Sequence, residues 1–111
     1  MAKNKFASWT KVLIPSCDGA AYQGNNKDVY DHKGVDLYFR GSPNMRANIE
    51  LINQMYDLEA ASKIVFLGSS TGGVAVILWI DYIKSLVSEP DKIYGIVDSG
   101  VFTNPDLLGV I

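Results

Sequence analysis

The sequence predicts an α/β fold built on a parallel sheet, because short apolar runs alternate with longer helical patterns. Residues 64–67 are apolar and mostly β-branched or aromatic, as in a buried strand. Glycines, serines and one threonine occupy residues 68–73, and an apolar segment follows that fits a buried helix. Strand-like runs before and after this unit predict right-handed crossovers between parallel strands.

The composition narrows the class of protein. The chain has 111 residues, so we expect a single domain or part of one over residues 1–111. A net charge of -2 without a basic stripe argues against a nucleic-acid partner. The longest apolar run, residues 74–80, is too short to span a bilayer, and residues 1–9 do not have the apolar stretch of a signal peptide. The motifs predict neither a cofactor nor a metal ion.

The first half of the chain predicts one strand, a polar excursion and one helix. Residues 11–15 fit a strand that ends at a proline, residues 16–24 a loop, and residues 25–34 an exposed excursion. Residues 35–39 alternate loosely and fit a short extended piece. A helix then begins, with Ser42 as its expected N-cap and Pro43 at its first position. Its apolar residues recur at helical spacing: Met45, Ile49, Ile52 and Tyr56.

After the central helix, the chain predicts one more strand. Residues 88–91 contain a proline and end the helix, and residues 93–97 are apolar and fit a third strand. Asn104 and Pro105 predict a turn. In open parallel sheets, sites lie beyond the carboxyl ends of the strands, so we expect three small polar clusters to face one rim. These clusters are residues 16–19, 68–71 and 98–100.

The turn between the central strand and helix has the spacing of a catalytic serine motif. Gly68, Ser69, Ser70, Thr71 and Gly72 spell G-x-S-x-G, in which a serine sits on a sharp strand-to-helix turn. Glycines on both sides leave room for the turn. The Thr71 amide, at the N-terminus of a helix, is placed to stabilise an oxyanion.

Two other readings of this turn remain open. A glycine-serine turn can bind a phosphate at the helix N-terminus or serve only to pack. No lysine of the Walker type follows the glycines, since Val74 and Ala75 stand there, and no G-x-G-x-x-G pattern is present. A nucleotide site is therefore the less favoured alternative.

Five stretches in order resemble the pectin acetylesterase / Notum family of α/β-hydrolase-like carboxylesterases. They are FASWTK at residues 6–11, SCDGAAYQG at 16–24, LYFRGSPNMRA at 37–47, GSSTGG at 68–73 and VDSGVF at 97–102. The resemblance spans nearly the whole chain. It implies a three-layer α/β-hydrolase-like domain with a parallel sheet core and flanking helices, of which this chain would be a central part.

The resemblance implies a serine esterase and assigns roles to particular residues. Ser70 matches the nucleophile, and the Thr71 amide matches an oxyanion-hole donor. We expect the site to be supported by Gly68, Ser69, Gly72, Asp18, Gly19, Asp98 and Ser99. Two positions depart from the family: Ser69 stands where many members have cysteine, and Thr71 where they usually have alanine. Asp98 is not the family's triad acid, so we expect its carboxylate to bond rim amides. For Asp18, the simpler alternative is a turn aspartate that bonds its own backbone. Cys17 is the only cysteine, and we expect a free, buried thiol.

The implied substrate is an ester, either an acetylated pectin-type polysaccharide or, as in Notum, an acylated protein. The family acts outside the cell, in the cell wall or as a secreted protein. Its triad acid and histidine match nothing here, and the only histidine, His32, lies in a polar stretch ahead of Ser70. We therefore expect the isolated chain to have negligible esterase activity and to associate with the remainder of its own domain. The alternative function is a non-catalytic module that binds an acyl group or an acetylated sugar.

Overall fold

The computed structural model describes residues 3–100, in which two helices and two small sheets form an α/β arrangement. The strands are β1 (Tyr30–His32), β2 (Val35–Leu37), β3 (Ile64–Ser69) and β4 (Ile93–Asp98). The helices are α1 (Gly41–Tyr56) and α2 (Thr71–Lys84), and one 3₁₀ turn, Pro90–Lys92, leads into β4. The turn expected at Asn104 and Pro105 lies outside the described residues.

The site-bearing half of the chain is a β-α-β unit, as the sequence predicts. β3 and β4 pair in parallel, from Ile64 opposite Ile93 to Ser69 opposite Asp98, and α2 connects them. One face of this pair packs on α2: a Cβ added at Gly95 would lie 2.6 Å from Ile80 Cδ1 and 3.1 Å from Val76 Cγ1. The carboxyl ends of both strands therefore meet at the start of α2.

The core lies between α1, α2 and the sheet. Its buried side chains come from all three: Met45, Ile49, Ala75, Trp79, Ile83 and Ile93. The helical spacing of Met45 and Ile49 thus marks the inner face of α1, as predicted. Ile52 is half-buried, whereas Tyr56 at the end of the helix is exposed, so the predicted apolar stripe does not extend to the last turn.

The opposite face of the β3–β4 pair is apolar and open within the described residues. Leu67 is 62% exposed, and Tyr94 and Ile96 on the neighbouring strand are also exposed. Parallel sheets are normally covered on both faces. On α2, Ile77 and Leu78 are exposed as well, so this helix also presents apolar surface on a side away from the sheet.

The prediction of a strand at residues 11–15 is wrong. These residues have no regular structure, and no strand among residues 3–100 pairs with them. Leu13 is 89% exposed, while Ile14 packs against the core. A β-branched run forms a strand only where a neighbouring strand accepts its hydrogen bonds. The predicted three-stranded order is therefore replaced by two separate two-stranded sheets.

Two further details differ from the prediction. The extended piece at Val35–Leu37 is confirmed, but it pairs antiparallel with Tyr30–His32 in a hairpin that the sequence analysis missed. Lys33 and Gly34 form its turn with φ of 55° and 83°, as in the tight turns that favour hairpins. Helix α1 begins at Gly41, and Ser42 is not its N-cap. The Ser42 amide instead donates to the Gly24 carbonyl oxygen at 2.9 Å, so a loop replaces the side-chain cap.

Candidate functional site

The structure places Ser70 on a sharp turn between β3 and α2 with an uncommon backbone conformation. Its φ is 54° and its ψ is -119°, a region that residues with side chains rarely adopt. Holding a non-glycine residue there costs about 1 to 3 kcal/mol and is a feature of functional sites. Ser70 is exposed, and its side chain makes no capping hydrogen bond to α2. Its hydroxyl is therefore available to solvent.

Gly68 is required for this turn, whereas the described contacts do not require Gly72. An added Cβ at Gly68 would collide with the carbonyl group of Gly72, because the turn brings the two backbones together. A Cβ at Gly72 would meet no atom within 4 Å. The expectation that both glycines leave room for the turn therefore holds for Gly68, whose missing side chain makes room for the Gly72 backbone. At Gly72 itself a side chain would fit.

The end of β4 holds the turn in place. The Ser70 amide donates to the Asp98 carbonyl oxygen at 2.9 Å, directly after the last register pair, Ser69 with Asp98. Gly73, in the first turn of α2, packs against Gly100: a Cβ at Gly73 would lie 2.7 Å from Gly100 Cα. The sequence alone did not predict this contact. Its signal would have been Gly73 and Gly100, which stand four and two residues beyond the ends of β3 and β4.

The Asp98 carboxylate was predicted to accept hydrogen bonds from rim amides, but it accepts one from a hydroxyl group instead. Its Oδ1 accepts a hydrogen bond from the Ser99 hydroxyl at 3.1 Å, and the rim amide of Ser70 is bonded by the Asp98 backbone carbonyl. Ser99 has a φ of 52°, so a second strained serine follows β4. Asp98 and Ser99 thus lie beside the serine turn, as the predicted rim requires.

Thr71 is the first residue of α2, and its amide is among those that have no partner within a helix. Gly72 and Gly73 follow it, so no side chain is attached to the next two positions of the first turn. The amide end of α2 carries partial positive charge. The Gly73 amide donates to the Ser70 carbonyl oxygen at 2.9 Å, so the free amides at this end are those of Thr71 and Gly72. A hydroxyl group next to free helix amides can attack a carbonyl and have the resulting oxyanion stabilised.

Asp18 lies at the start of α1, and its contacts connect it to that helix rather than to Ser70. It is only 4% exposed. Its Oδ1 accepts from the Ala20 amide at 3.0 Å and its Oδ2 from the Gly24 amide at 2.8 Å. An added Cβ at Gly24 would lie 2.7 Å from Oδ2, and one at Gly41 would collide with the carboxylate. The carboxylate therefore does more than close its own turn: it joins loop 18–24 to α1.

The electrostatics of Asp18 follow from these contacts. Desolvation by burial raises the pKa of its carboxyl, but hydrogen bonds from the amides of Ala20, Gly24, Tyr22 and Gly41 together outweigh burial and hold the pKa below its ordinary value. Gly19, the next residue, has a φ of 63° and open space around it, so its role is the backbone turn. Of the three clusters expected at one rim, the structure joins residues 68–71 and 98–100.

Cys17 differs from its prediction, and Arg40 and His32 lie in the neighbouring loop and hairpin. Cys17 is free but exposed, so the expectation of a buried thiol is wrong; the segment before it has no sheet to bury it. Arg40 donates to the backbone oxygens of Asn26 and Lys27, at 3.4 and 2.9 Å. His32 lies in the exposed hairpin, stacked on Tyr30 with ring centroids 6.4 Å apart, and no hydrogen bond to Ser70 involves it.

Among residues 3–100, no three histidine, cysteine or acidic side chains gather where a metal ion could bind. Neither helix in that range combines the length and apolarity needed to cross a membrane.

Comparisons with known proteins agree with the motifs. Residues 2–108 match the family model described as Pectinacetylesterase. Pectin acetylesterase 5 of Arabidopsis thaliana is 32% identical over 106 residues, which cover 95% of this chain and 24% of that protein. The palmitoleoyl-protein carboxylesterase NOTUM of Schmidtea mediterranea is 32% identical over 101 residues, 87% of this chain and 18% of that protein.

Pectin acetylesterase 4 of Arabidopsis thaliana is 27% identical over 105 residues, covering 94% of this chain and 25% of that protein. The chain thus spans about a quarter or less of the length of these curated relatives. No solved structure matches it at a significant level. The family model covers nearly the whole chain, including the serine turn, and the chain therefore belongs to the pectinacetylesterase family.

Proposed function

We propose that residues 1–111 form part of a three-layer α/β-hydrolase-like esterase domain in which Ser70 is the nucleophile. The observation that carries the proposal is the backbone conformation of Ser70. Its φ is 54°, on a turn that requires a glycine at position 68. A solvent-accessible serine held in this way, with free helix amides beside it, fits an acyl-transfer site. Asp98, Ser99, Gly68, Ser69 and Gly72 support this turn in the proposal, and Asp18 and Gly19 support the neighbouring loop.

The proposed reaction has two steps. The Ser70 oxygen attacks the carbonyl carbon of an ester while a general base takes the hydroxyl proton, and the Thr71 amide donates to the oxyanion. The alcohol of the substrate leaves with a proton and the acyl group stays on Ser70. Water then attacks the acyl-enzyme, which releases the carboxylic acid and restores the serine.

The general base comes, in this proposal, from outside residues 3–100. The single histidine of the sequence is His32, which lies in the exposed hairpin and stacks on Tyr30. Without a base next to it, a serine hydroxyl is a weak nucleophile. The open apolar face of β3 and β4 supports the same view, because it offers a surface on which the rest of a larger domain can pack.

Acetyl esters of pectin are the substrates we propose first, because relatives named pectin acetylesterases match the chain over most of its length. The alternative is deacylation of a protein, supported by the relative named palmitoleoyl-protein carboxylesterase. We also propose a location outside the cell, supported by the relatives named pectin acetylesterase and NOTUM rather than by any residue of this chain. A non-catalytic acyl-binding role is the third possibility and predicts binding that does not depend on Ser70.

The test compares Ser70→Ala with Ser62→Ala in the protein expressed from the reading frame that contains these residues. Acetate release from acetylated pectin should fall by about 10³-fold or more in Ser70→Ala, since a lost nucleophile removes covalent catalysis. Ser62→Ala removes an exposed serine before β3 and should behave as wild type. Equal rates in wild type and Ser70→Ala would overturn the assignment. Release of palmitoleate but not acetate would favour the protein deacylase.

A further inference from the structure

Ser99 stands directly after β4, as Ser70 stands directly after β3. The last register pair of the two strands is Ser69 with Asp98, so the two serines occupy equivalent positions beyond the strand ends. Their φ angles are 54° for Ser70 and 52° for Ser99, in a region that residues other than glycine seldom adopt. Such a conformation persists where the surrounding structure holds it. The sheet therefore ends in two adjacent strained turns, and the proposed nucleophile occupies one of them.

The conformation of Ser99 directs the chain across the start of α2. A residue in an extended conformation would continue the line of β4, whereas Ser99 turns the chain so that Gly100 touches Gly73. A Cβ added at Gly100 would lie 2.6 Å from Gly73 Cα and 2.8 Å from Val97 Cγ1. This contact leaves no room for a side chain on Gly100, and it holds the first turn of α2 against the end of β4.

The peptide unit between Asp98 and Ser99 connects this turn to Ser70. Its carbonyl oxygen, which is that of Asp98, accepts the Ser70 amide at 2.9 Å. Because a peptide unit is planar, this carbonyl and the Ser99 nitrogen lie in one plane. With Gly100 fixed on Gly73, a change in the φ of Ser99 would rotate that plane and turn the carbonyl away from the Ser70 amide.

The Ser99 hydroxyl fixes the same peptide unit. It donates to Asp98 Oδ1 at 3.1 Å, so it joins the side chains on the two sides of that unit. Hydrogen bonds to a carboxylate are stronger than hydrogen bonds between neutral groups. Ser99 is thus tied to Asp98 through its side chain and to α2 through Gly100.

These contacts lie on both sides of the free amides of α2. The Ser70 amide is bonded on one side and Gly73 packs on the other, with Thr71 and Gly72 between them. The positions of the Thr71 and Gly72 amides therefore depend on the path that the chain takes after β4.

We propose that Ser99 is a positioning residue for the serine turn. Its left-handed conformation places the Asp98 carbonyl on the Ser70 amide and Gly100 on the first turn of α2, and so fixes where the two free helix amides point. Ser99 touches no reacting atom. The inference rests on the proposed function, because those amides stabilise the oxyanion in the proposed reaction.

The first test measures acetate release from acetylated pectin by the protein expressed from the reading frame that contains these residues. Ser99→Val places a β-branched residue at a positive φ, where such residues are outliers. It should lower kcat by about 10- to 100-fold and change KM by less than about threefold, because misplaced groups cost transition-state stabilisation.

Two variants complete this test. Ser99→Asn should stay within about threefold of wild type, since asparagine tolerates a positive φ and its side-chain amide can donate to Asp98. The matched control is Ser62→Val, at an exposed serine whose φ is not positive, and it should behave as wild type.

The second test needs no catalysis. Amide hydrogen exchange, followed by NMR in protein labelled with ¹⁵N-serine, reports on the Ser70 amide, whose signal is identified by its absence in Ser70→Ala. Exchange at Ser70 should become about tenfold faster or more in Ser99→Val and should keep the wild-type rate in Ser99→Asn. Exchange at Ser85, whose amide donates to the Asp81 carbonyl oxygen in α2, should not change. Equally faster exchange at both serines would show a general loss of stability and would overturn the proposal.

Ser99→Ala keeps the tests decisive if Ser99→Val does not fold. It removes only the hydroxyl, and it should lower kcat several-fold and speed exchange at Ser70 but not at Ser85. Unchanged kcat and exchange in Ser99→Ala or Ser99→Val would overturn the proposal, as would equal losses in Ser99→Val and Ser99→Asn. If Ser70→Ala kept full activity, the proposed function would fail, while exchange at Ser70 would still test this inference.

Discussion

Gly73 and Gly100 meet backbone to backbone at the point where α2 starts and β4 has just ended. A Cβ on Gly100 would lie 2.6 Å from Gly73 Cα, and a Cβ on Gly73 would lie 2.7 Å from Gly100 Cα. A hydrogen bond lies next to this contact: the Ser70 amide, three residues before Gly73, donates to the carbonyl oxygen of Asp98, two residues before Gly100. Together they make the end of β4 the support on which the serine turn rests.

Substituting either of these glycines should destabilise the chain. Gly73→Ala or Gly100→Ala should each lower the free energy of unfolding by about 1 to 3 kcal/mol, the usual cost of overpacking. The double variant should deviate from the sum of the two by at least about 0.5 kcal/mol, because both substitutions disturb one contact. Urea unfolding followed by circular dichroism measures all four forms. Strict additivity would show that the two backbones do not touch.

The two glycines of the serine motif should respond in opposite directions. Gly68→Ala should lower the free energy of unfolding by at least about 1 to 3 kcal/mol, since its Cβ would collide with the Gly72 carbonyl group. Gly72→Ala places a methyl group in open space within a helix and should raise stability by up to about 1 kcal/mol. Thermal melts of the two variants form a matched pair. A larger loss for Gly72→Ala than for Gly68→Ala would contradict the described turn.

Relieving the backbone of Ser70 should stabilise the chain. Ser70→Gly allows a φ of 54° without steric cost and should raise the free energy of unfolding by about 1 kcal/mol. Ser70→Ala keeps the strain and should change stability little. The same denaturant titration decides between them. If alanine and glycine at this position gave the same stability, the conformation of Ser70 would differ from the one described.

Asp18 should make the chain sensitive to acid. Its pKa is lower in the folded state than the ordinary 3.8, so the stabilisation is present above that value and is lost as the pH falls through the folded pKa. Asp18→Asn should therefore reduce stability at neutral pH and flatten the loss of stability as the pH falls below about 4. Asp36→Asn, in the exposed hairpin, is the control.

The measurement for Asp18 is the unfolding midpoint as a function of pH for both variants and wild type. Glu59 also has a lowered pKa, through hydrogen bonds from the Ser88 hydroxyl and amide, so some acid sensitivity should remain in Asp18→Asn. If the unfolding midpoint of wild type fell with pH in parallel with that of Asp18→Asn, the Asp18 carboxylate would not form its hydrogen bonds to the Ala20 and Gly24 amides on folding.

The sequence predicted the β-α-β unit well because its signals are local. The apolar run before Gly68, the glycine-rich turn and the apolar helix are each visible within a few residues, and the motif fixes which residue occupies the strained position. The parallel pairing of β3 with β4 followed from the crossover rule. These features depend little on the rest of the molecule.

The errors came from features that depend on distant partners. Residues 11–15 have the composition of a strand, but no strand pairs with them among residues 3–100. Ser42 has the residue type of an N-cap, yet the carbonyl of Gly24 takes its amide. The buried carboxylate of Asp18, packed against Gly24 and Gly41, joins positions up to 23 residues apart. A single sequence carries no signal for such a contact.

The bond from the Ser70 amide to the Asp98 carbonyl also sets an order of events during synthesis. Ser70 leaves the ribosome 28 residues ahead of the strand end that holds it, an interval of about 1.5 to 6 seconds at ordinary translation rates. During that time β3 has no β4 beside it, and α2 has no Gly100 against its first turn. The serine turn therefore forms late. A nascent chain contains the G-x-S-x-G motif before the Asp98 carbonyl can hold Ser70 in its described conformation.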